Sequence, residues 1–352
     1  NDIQGMAALI DGRTKAVFCE SIGNPAGNVA DIGAMADMAH AHGIPLIVDN
    51  TVPTPYLCRP FEHGADIVVH ALTKYLGGHG TTIGGALVDS GKFPWAEHKA
   101  RFRRLNEPDV SYHGVVYTEA LGAAAYIGRA RVVPLRNMGA AISPFNSFLI
   151  LQGIETLHVR MDRHCENALA VAQYLQAQPQ VAWVRYAGLP DHPDKPLVDK
   201  YMGGRASSIL SFGIKGGMES GAKFIDALKL AVRLVNIGDA KTLACHPATT
   251  THRQLAPAEL ARAGVAVEGA VDPAGQVPAP DLAPFGGEGP VGASQELAKA
   301  RFLIHAPPVR PGRCPVHELD PFFALPVIDP SVLADDDGRP RVSSEGRFSA
   351  RA

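Results

Sequence analysis

Two short apolar runs, each followed by a single charged residue, constrain the fold more than any other feature of the sequence. The run LIV is followed by Asp49, and the run DIVVHALT is followed by Lys74. Both are rich in β-branched residues and bounded by Pro or Gly, so we predict two buried strands. Because the ligand crevice of an open parallel sheet lies beyond the carboxyl ends of its strands, we expect Asp49 and Lys74 to share one site.

The first part of the chain alternates strand and helix patterns. Strands are predicted at residues 15–20, 45–49, 66–70 and 84–88. Between the first two, Asp31 begins a helix that ends at Gly43, and its apolar face is formed by Ile32, Met35, Ala36 and Ala39. Strands that alternate with helices indicate an α/β fold with a mostly parallel sheet.

The later part of the chain divides into four predicted stretches. Residues 91–136 are rich in Arg, Tyr and His, and we expect either a solvated surface or subunit contact, or active-site loops. Ser143 before Pro144 is a typical helix start, and one long connecting helix is predicted over residues 143–180. Residues 181–265 are predicted to form a small α+β domain with strands at VAWVRY and SSILSFGI and a helix at FIDALKLAVRLVNIG. Residues 266–352 are rich in Pro and Gly and are predicted to be poorly ordered, with only ELAKARFLI and FFALPVI resembling ordered segments.

Composition excludes several classes of partner. Lys and Arg number 33 against 35 Asp and Glu, so a net charge of −2 gives no electrostatic reason to bind nucleic acid or an anionic membrane. The five cysteines are scattered without C-x-x-C, and no signal peptide or membrane-length apolar run is present, so we expect a cytoplasmic location. His246 and His252 are six residues apart with no third ligand nearby, and no metal site is predicted.

The chemistry of the predicted site favours one cofactor. A desolvated lysine offers a free amine that forms a Schiff base with a carbonyl, and pyridoxal 5′-phosphate needs that amine together with an acid for its pyridine nitrogen. Lys74 and Asp49 supply this pair, while Thr73 and the glycines of GGHG can meet a phosphate. A single Asp after an apolar run is most often a turn residue, and a single Lys there is most often a solvated strand end. The combination of Asp49 and Lys74 at this spacing favours a cofactor site instead. Neither G-x-G-x-x-G nor G-x-x-x-x-G-K-[ST] occurs in a context that favours a nucleotide.

Several segments together carry a family resemblance. Over about residues 15–265, FCESIGNPAGN, VDNTVPTPYL, HALTKYLGGHG and NIGDAKTLACHPATTTHRQL resemble the pyridoxal-phosphate-dependent enzymes of cysteine and methionine metabolism. Within that family, GKFPW and GIETLHVRM resemble the O-acetylhomoserine sulfhydrylase group more than cystathionine γ-synthase, the cystathionine lyases or methionine γ-lyase. The resemblance implies the aspartate-aminotransferase-like type I fold, with residues 1–142 as the C-terminal part of the large cofactor-binding domain. It also implies a homo-oligomer, a dimer of dimers.

The resemblance also assigns roles to five residues. It implies that Lys74 is the Schiff-base lysine, Asp49 the partner of the pyridine nitrogen and Thr73 a phosphate ligand. It implies that Asn24 donates to the phenolic oxygen of the cofactor and that Asn236 is a neighbour of the substrate carboxylate. The implied reaction is γ-replacement, in which O-acetylhomoserine and sulfide, or a small thiol, give homocysteine or methionine and acetate.

Three departures from the family pattern leave alternatives open. Ala71 stands where the family has a serine that contacts the phosphate, and the segment that carries the family's cofactor-stacking tyrosine does not precede residue 1. After Val265 the pattern ends abruptly, without the arginine that binds the substrate carboxylate, which suggests an out-of-frame C-terminus. The alternatives are another family member, such as cystathionine γ-synthase, an O-succinylhomoserine sulfhydrylase or methionine γ-lyase, and a non-catalytic remnant.

Overall fold

The structure, a computed structural model, describes residues 1–24, 26–247, 250, 253–254, 259 and 298–303. All of these residues belong to one unit, residues 1–307. The expectations for His252, for the segment around Val265 and for most of residues 266–352 lie outside the described residues.

A four-stranded sheet forms the centre of the first part of the chain. Its strands are β1 (Val17–Glu20), β2 (Leu46–Asp49), β3 (Ile67–Ala71) and β4 (Gly85–Asp89), in the order β1-β2-β3-β4. The first three strands are parallel, and β4 is antiparallel to β3. The predicted mostly parallel α/β sheet is therefore confirmed, and the carboxyl ends of β1, β2 and β3 meet at one edge.

Helix α1 (Ile3–Ala8) precedes β1, while α2 (Ile32–Ala41), α3 (Thr54–Leu57) and a 3₁₀ helix at Pro60–His63 lie in the connections between the parallel strands. The Asp31 side chain accepts a hydrogen bond from the Ala34 amide at 3.4 Å and so caps α2, as predicted. The predicted apolar face of α2 is buried with the β2 residues Leu46 and Val48 in one core cluster. Burial of each large apolar side chain there stabilises the fold by roughly 1.5–3 kcal/mol.

The segment after β4 covers the opposite side of the sheet. It contains α4 (Arg103–Asn106), α5 (Tyr117–Leu121), α6 (Ala125–Ala130) and α7 (Arg136–Met138), with a π-helical turn at Arg131–Leu135 between the last two. Phe93, Trp95 and Tyr117 from this segment form a second core cluster with Ile67 of β3. Residues 91–136, expected to be a surface or active-site loops, thus also contribute a core.

The connecting segment forms two helices where one long helix was predicted. Helix α8 (Pro144–Glu155) begins at the predicted cap, where Ser143 Oγ accepts from the Asn146 amide at 3.1 Å, and α9 (Leu157–Gln176) follows. The break lies at Thr156. The carbonyl oxygen of Gly153 accepts hydrogen bonds from Arg160 Nη2 at 2.6 Å and Thr156 Oγ1 at 3.3 Å, so side chains occupy an acceptor that a continuous helix would use.

A second sheet contains β5 (Val181–Arg185), β6 (Leu210–Ile214), β7 (Val232–Arg233), β8 (Leu243–Cys245) and β9 (Ala298–Leu303), in the order β5-β6-β9-β8-β7. Strands β7 and β8 are parallel, and the other pairs are antiparallel. The predicted strands in VAWVRY and SSILSFGI are confirmed, and β9 lies within ELAKARFLI. Helices α10 (Lys195–Met202) and α11 (Gly217–Ala227) complete this part.

The predicted helix at FIDALKLAVRLVNIG is wrong after Ala227. Helix α11 ends there, and the extended chain that follows pairs Val232 and Arg233 with β8. Val232 and Val235, both within the predicted helix, are 44% and 53% exposed. β-Branched residues suit an extended chain, and a ladder with β8 was available to them. In the part of the chain that the structure describes, no helix has the length and apolarity to cross a membrane.

Candidate active site

Lys74 lies in a hydrogen-bonded turn directly after β3. Its amide donates to the Ala71 carbonyl oxygen at 3.0 Å, and its own carbonyl oxygen accepts from the Gly78 amide at 2.7 Å. The Gly77 amide donates to the Leu72 carbonyl oxygen at 2.8 Å. Gly78 has φ +73°, a conformation that favours glycine. The turn therefore fixes the Lys74 backbone at the carboxyl end of β3.

A segment 162 residues further along the chain brings Asn236 to this lysine. Lys74 Nζ donates a hydrogen bond to Asn236 Oδ1 at 2.6 Å. The Ala240 amide donates to the Gly78 carbonyl oxygen at 2.7 Å. At Gly238 a Cβ atom would lie 2.3 Å from the backbone nitrogen of Tyr75, so only glycine permits this approach. The structure thus brings together two of the residues predicted for one site.

Asp49 ends β2 at the same edge of the sheet. It is in register with Val69 of β3, and its Oδ1 accepts from the Thr51 amide at 2.9 Å. Thr51 Oγ1 in turn accepts from the Ala71 amide at 2.8 Å, which ties the chain after β2 to the end of β3. The Asp49 carboxylate therefore lies at the end of one strand, and residues 71–78, which we call the lysine turn, lie at the end of the adjacent parallel strand. This is the arrangement that the sequence predicted.

Thr73 and Asn24 lie near the same edge, with different surroundings. The Thr73 hydroxyl accepts from the Gly84 amide at 3.1 Å and donates to the Gly84 carbonyl oxygen at 3.3 Å, so it links the lysine turn to the start of β4. Asn24 is exposed in the turn after β1, where its backbone amide donates to Glu20 Oε2 at 3.1 Å. Their roles as cofactor ligands stay predictions.

Gly80 and the buried carboxylate of Asp239 pack closely together near Asn236. Gly80 has φ +63°, and a Cβ there would lie 2.9 Å from Asp239 Oδ2 and 3.4 Å from Asn236 Nδ2. Asp239 is 4% exposed, and its Oδ1 accepts from the Lys241 amide at 2.8 Å. An amine and a carboxylate at the ends of adjacent parallel strands are the pair that pyridoxal phosphate requires for its aldehyde and its pyridine nitrogen, so these residues fit that cofactor. Within the described residues, no group of three His, Cys, Asp or Glu side chains could hold a metal ion.

His70 on β3 is a neighbour of Asp49 that the sequence patterns did not indicate as a site residue. The side chain is buried, and its Nδ1 has no hydrogen-bond partner among the residues that the structure describes. Burial lowers the pKa of His70 to about 4, although the nearby charge of Asp49 opposes that shift. The imidazole is therefore neutral at physiological pH. Sequence patterns did not indicate Asp239 either. Neither His70 nor Asp239 belongs to a motif whose spacing points to a site.

The low pKa of His70 makes stability depend on pH. The unfolded chain binds a proton at His70 below about pH 6.5, whereas the folded chain binds it only near pH 4. Stability therefore falls as the pH drops through this window, and each unit of separation is worth about 1.4 kcal/mol. The unfolding free energy should decrease in both proteins when the pH is lowered from 7 to 5. We expect the decrease to be about 2 kcal/mol smaller in His70→Gln than in wild type. Urea denaturation at both pH values measures this difference.

Exposed His42 provides a matched control. His42→Gln makes the same substitution at an exposed position and is compared at the same two pH values. Equal losses in wild type and His70→Gln would show that His70 protonates alike in both states and would contradict the burial argument.

Comparison with known proteins supports one family. The sequence profile described as Cys/Met metabolism PLP-dependent enzyme, in which PLP is pyridoxal phosphate, matches residues 1–268. A homocysteine synthase of Schizosaccharomyces pombe is 52% identical over 266 residues, which are 75% of this chain and 62% of that protein. O-acetyl-L-homoserine sulfhydrylase 1 of Thermus thermophilus is 51% identical over 262 residues, 74% of this chain and 62% of that protein.

A solved structure agrees with these sequences. It is a Campylobacter jejuni protein described as an O-acetylhomoserine (thiol)-lyase, and one of its lysines carries a pyridoxyl 5′-monophosphate group. It matches with a TM-score of 0.73 and 36% identity over 86% of this chain and 65% of that one. The chain spans about 62% of the length of the curated relatives named above. The chain belongs to the Cys/Met metabolism family of PLP-dependent enzymes.

Proposed function

We propose that this chain contributes the catalytic lysine of an enzyme that converts O-acetylhomoserine and sulfide, or a small thiol, into homocysteine or methionine and acetate. The hydrogen bond between Lys74 and Asn236, at the sheet edge that also carries Asp49, is the observation on which this proposal rests. The names of the relatives at 51–52% identity support the choice of substrate and sulfur donor. Among the described residues, Cys19, Cys58, Cys165 and Cys245 form no disulfide, which supports a cytoplasmic location.

The lysine amine performs the proton transfers in this proposal. When bound, pyridoxal phosphate supplies an electron-withdrawing ring that stabilises negative charge on the carbon beside the substrate's amino group. Lys74 Nζ would remove a proton from that carbon and then one from the next. The γ carbon–oxygen bond breaks as acetate leaves with the electron pair. A new carbon–sulfur bond forms at the same carbon, and Lys74 returns the protons.

Asp49 and Asn236 set the charge and position of the reacting groups. The carboxylate of Asp49 holds a proton on the pyridine nitrogen, and a charge-assisted hydrogen bond of this kind is worth roughly 1.5–3 kcal/mol. Asn236 Oδ1 holds the lysine amine in the structure, and its side-chain nitrogen would donate to a substrate carboxylate. His70, neutral and buried, adds no positive charge that would compete for Asp49.

Two further readings have specific support. Ala71 places no hydroxyl beside the lysine turn, and its amide is already bound to Thr51 Oγ1, which favours a non-catalytic relative with weak cofactor affinity. The nearest enzymatic rival is γ-elimination or γ-replacement on O-succinylhomoserine or cystathionine, because substrate choice depends in part on residues outside the matched length. Parallel assays with O-acetylhomoserine, O-succinylhomoserine and cystathionine distinguish the enzymatic alternatives.

Replacement of Lys74 tests the proposal directly. Titration of the purified chain with pyridoxal phosphate should produce the visible absorbance band of a lysine-bound cofactor, and borohydride should fix the label on Lys74. Lys74→Ala should abolish the band and reduce turnover of O-acetylhomoserine with sulfide by at least about 10³-fold, since the nucleophile and the base are both lost. Lys99→Ala, at an exposed position, should retain both properties. A band and turnover that survive in Lys74→Ala would refute the assignment.

Ala71 offers a gain-of-affinity test. Ala71→Ser restores a hydroxyl at the position where the family has one, and a hydrogen bond to a charged phosphate should contribute roughly 1–3 kcal/mol. We expect the dissociation constant for pyridoxal phosphate to fall about tenfold, as measured by absorbance titration. Ala86→Ser on β4 is the matched control and should leave the constant unchanged. An unaltered constant in Ala71→Ser would show that the phosphate does not lie beside this residue.

We further propose that the chain associates with copies of itself, as the family resemblance implies. Apolar side chains around the start of α8 support this proposal, because Met138, Phe145 and Phe148 are 78%, 68% and 54% exposed. The double variant Phe145→Asp and Phe148→Asp should shift the sedimentation coefficient from that of an oligomer to that of a monomer. Val110→Asp, at a residue 97% exposed, should not change it. A wild-type chain that sediments as a monomer at micromolar concentration would contradict the proposal.

A further inference from the structure

Arg160 of α9 contacts the backbone immediately beyond Lys74. Its Nη1 donates to the Tyr75 carbonyl oxygen at 2.8 Å, and its Nη2 donates to the Leu76 carbonyl oxygen at 3.4 Å and the Gly153 carbonyl oxygen at 2.6 Å. Its Nε donates to Thr156 Oγ1 at 3.1 Å. One side chain thus holds two consecutive carbonyls of the lysine turn and the end of α8.

Two glycines make this close packing possible. At Gly78 a Cβ atom would lie 2.5 Å from Arg160 Cζ, so the turn lies flat against the guanidinium group. At Gly153 a Cβ atom would lie 2.1 Å from the Gly77 carbonyl oxygen, which lets α8 touch the same turn. A methyl group at Gly78 would displace the guanidinium group, and one at Gly153 would displace the backbone of Gly77. The turn, the guanidinium and the junction of α8 and α9 therefore form one rigid contact.

The guanidinium group is buried, and each hydrogen bond described for it ends on a neutral oxygen. Arg160 is 9% exposed, and none of the ion pairs within the described residues includes it. Burial lowers the pKa of Arg160 to about 10, so the group keeps its charge at neutral pH. A buried cation needs well-formed hydrogen bonds to offset desolvation, and here four donated bonds supply them. Any rearrangement of the turn would leave donors unsatisfied.

We propose that Arg160 is a positioning residue for Lys74. By holding the carbonyls of Tyr75 and Leu76, it fixes the turn that directs the lysine amine toward Asn236 and the cofactor. This role rests on the proposed function of Lys74 and acts through the backbone, because Arg160 contacts the turn after Lys74 while the lysine amine contacts Asn236. The planar guanidinium is required because its donors point to several carbonyls at once, which an ammonium group cannot match.

Hydrogen exchange on the cofactor-free full chain tests the proposal without any need for turnover. In Arg160→Met, the amides of Gly77 and Gly78, which close the turn, should exchange at least about tenfold faster, while those of α2 change less than about twofold. The rate at which pyridoxal phosphate attaches to Lys74, trapped with borohydride and mapped by mass spectrometry, should fall at least about tenfold. Arg163→Met is the matched control, since Arg163 lies three residues away on α9 in an exposed pair with Glu166 and should leave both rates unchanged.

Arg160→Lys shows whether the role of Arg160 depends on its hydrogen-bond geometry or only on its charge. It also replaces Arg160→Met in the experiment if that variant does not fold. It retains the positive charge but cannot reach all these oxygens, so both rates should resemble those of Arg160→Met. Wild-type rates in Arg160→Lys, or faster exchange spread evenly over α2 and the turn, would overturn the proposal. If wild type attaches no pyridoxal phosphate, the proposed function fails, and exchange at Gly77 and Gly78 still decides the role of Arg160.

Discussion

The hydrogen bond between Lys74 and Asn236 is the interaction on which the rest of the site depends. It joins the turn after β3 to a segment 162 residues later, and the close approach of Gly238 to Tyr75 keeps the two together. Through this contact the Lys74 amine lies at the sheet edge where Asp49 ends β2, and an amine with an acid is the pair that pyridoxal phosphate requires.

Local patterns were sufficient to predict the first sheet and the edge at which Asp49 and Lys74 lie. Short β-branched runs bounded by Pro or Gly have few structures other than buried strands, and Asp31 and Ser143 cap helices by chemistry that operates within one turn. Asp49 and Lys74 could be assigned to one edge because parallel strands place their carboxyl ends together. These inferences needed no knowledge of distant contacts.

Features that depend on distant contacts could not be predicted. The apolar spacing after Ala227 fits a helix, but pairing with β8 favours an extended chain, and only that chain carries Asn236 to Lys74. The break at Thr156 arises because Arg160 binds a helix carbonyl while also binding the lysine turn. His70 has a low pKa because it is buried. Its position in an apolar strand does not reveal that burial until the packing on both faces of the sheet is known.

A crystal structure of the purified chain grown with pyridoxal phosphate tests the central claim most directly. The account predicts electron density for one ring, continuous with Lys74 Nζ, with the pyridine nitrogen about 2.7–2.9 Å from a carboxylate oxygen of Asp49. A cofactor bound elsewhere, or a ring attached to Lys74 with its nitrogen facing away from Asp49, would contradict it.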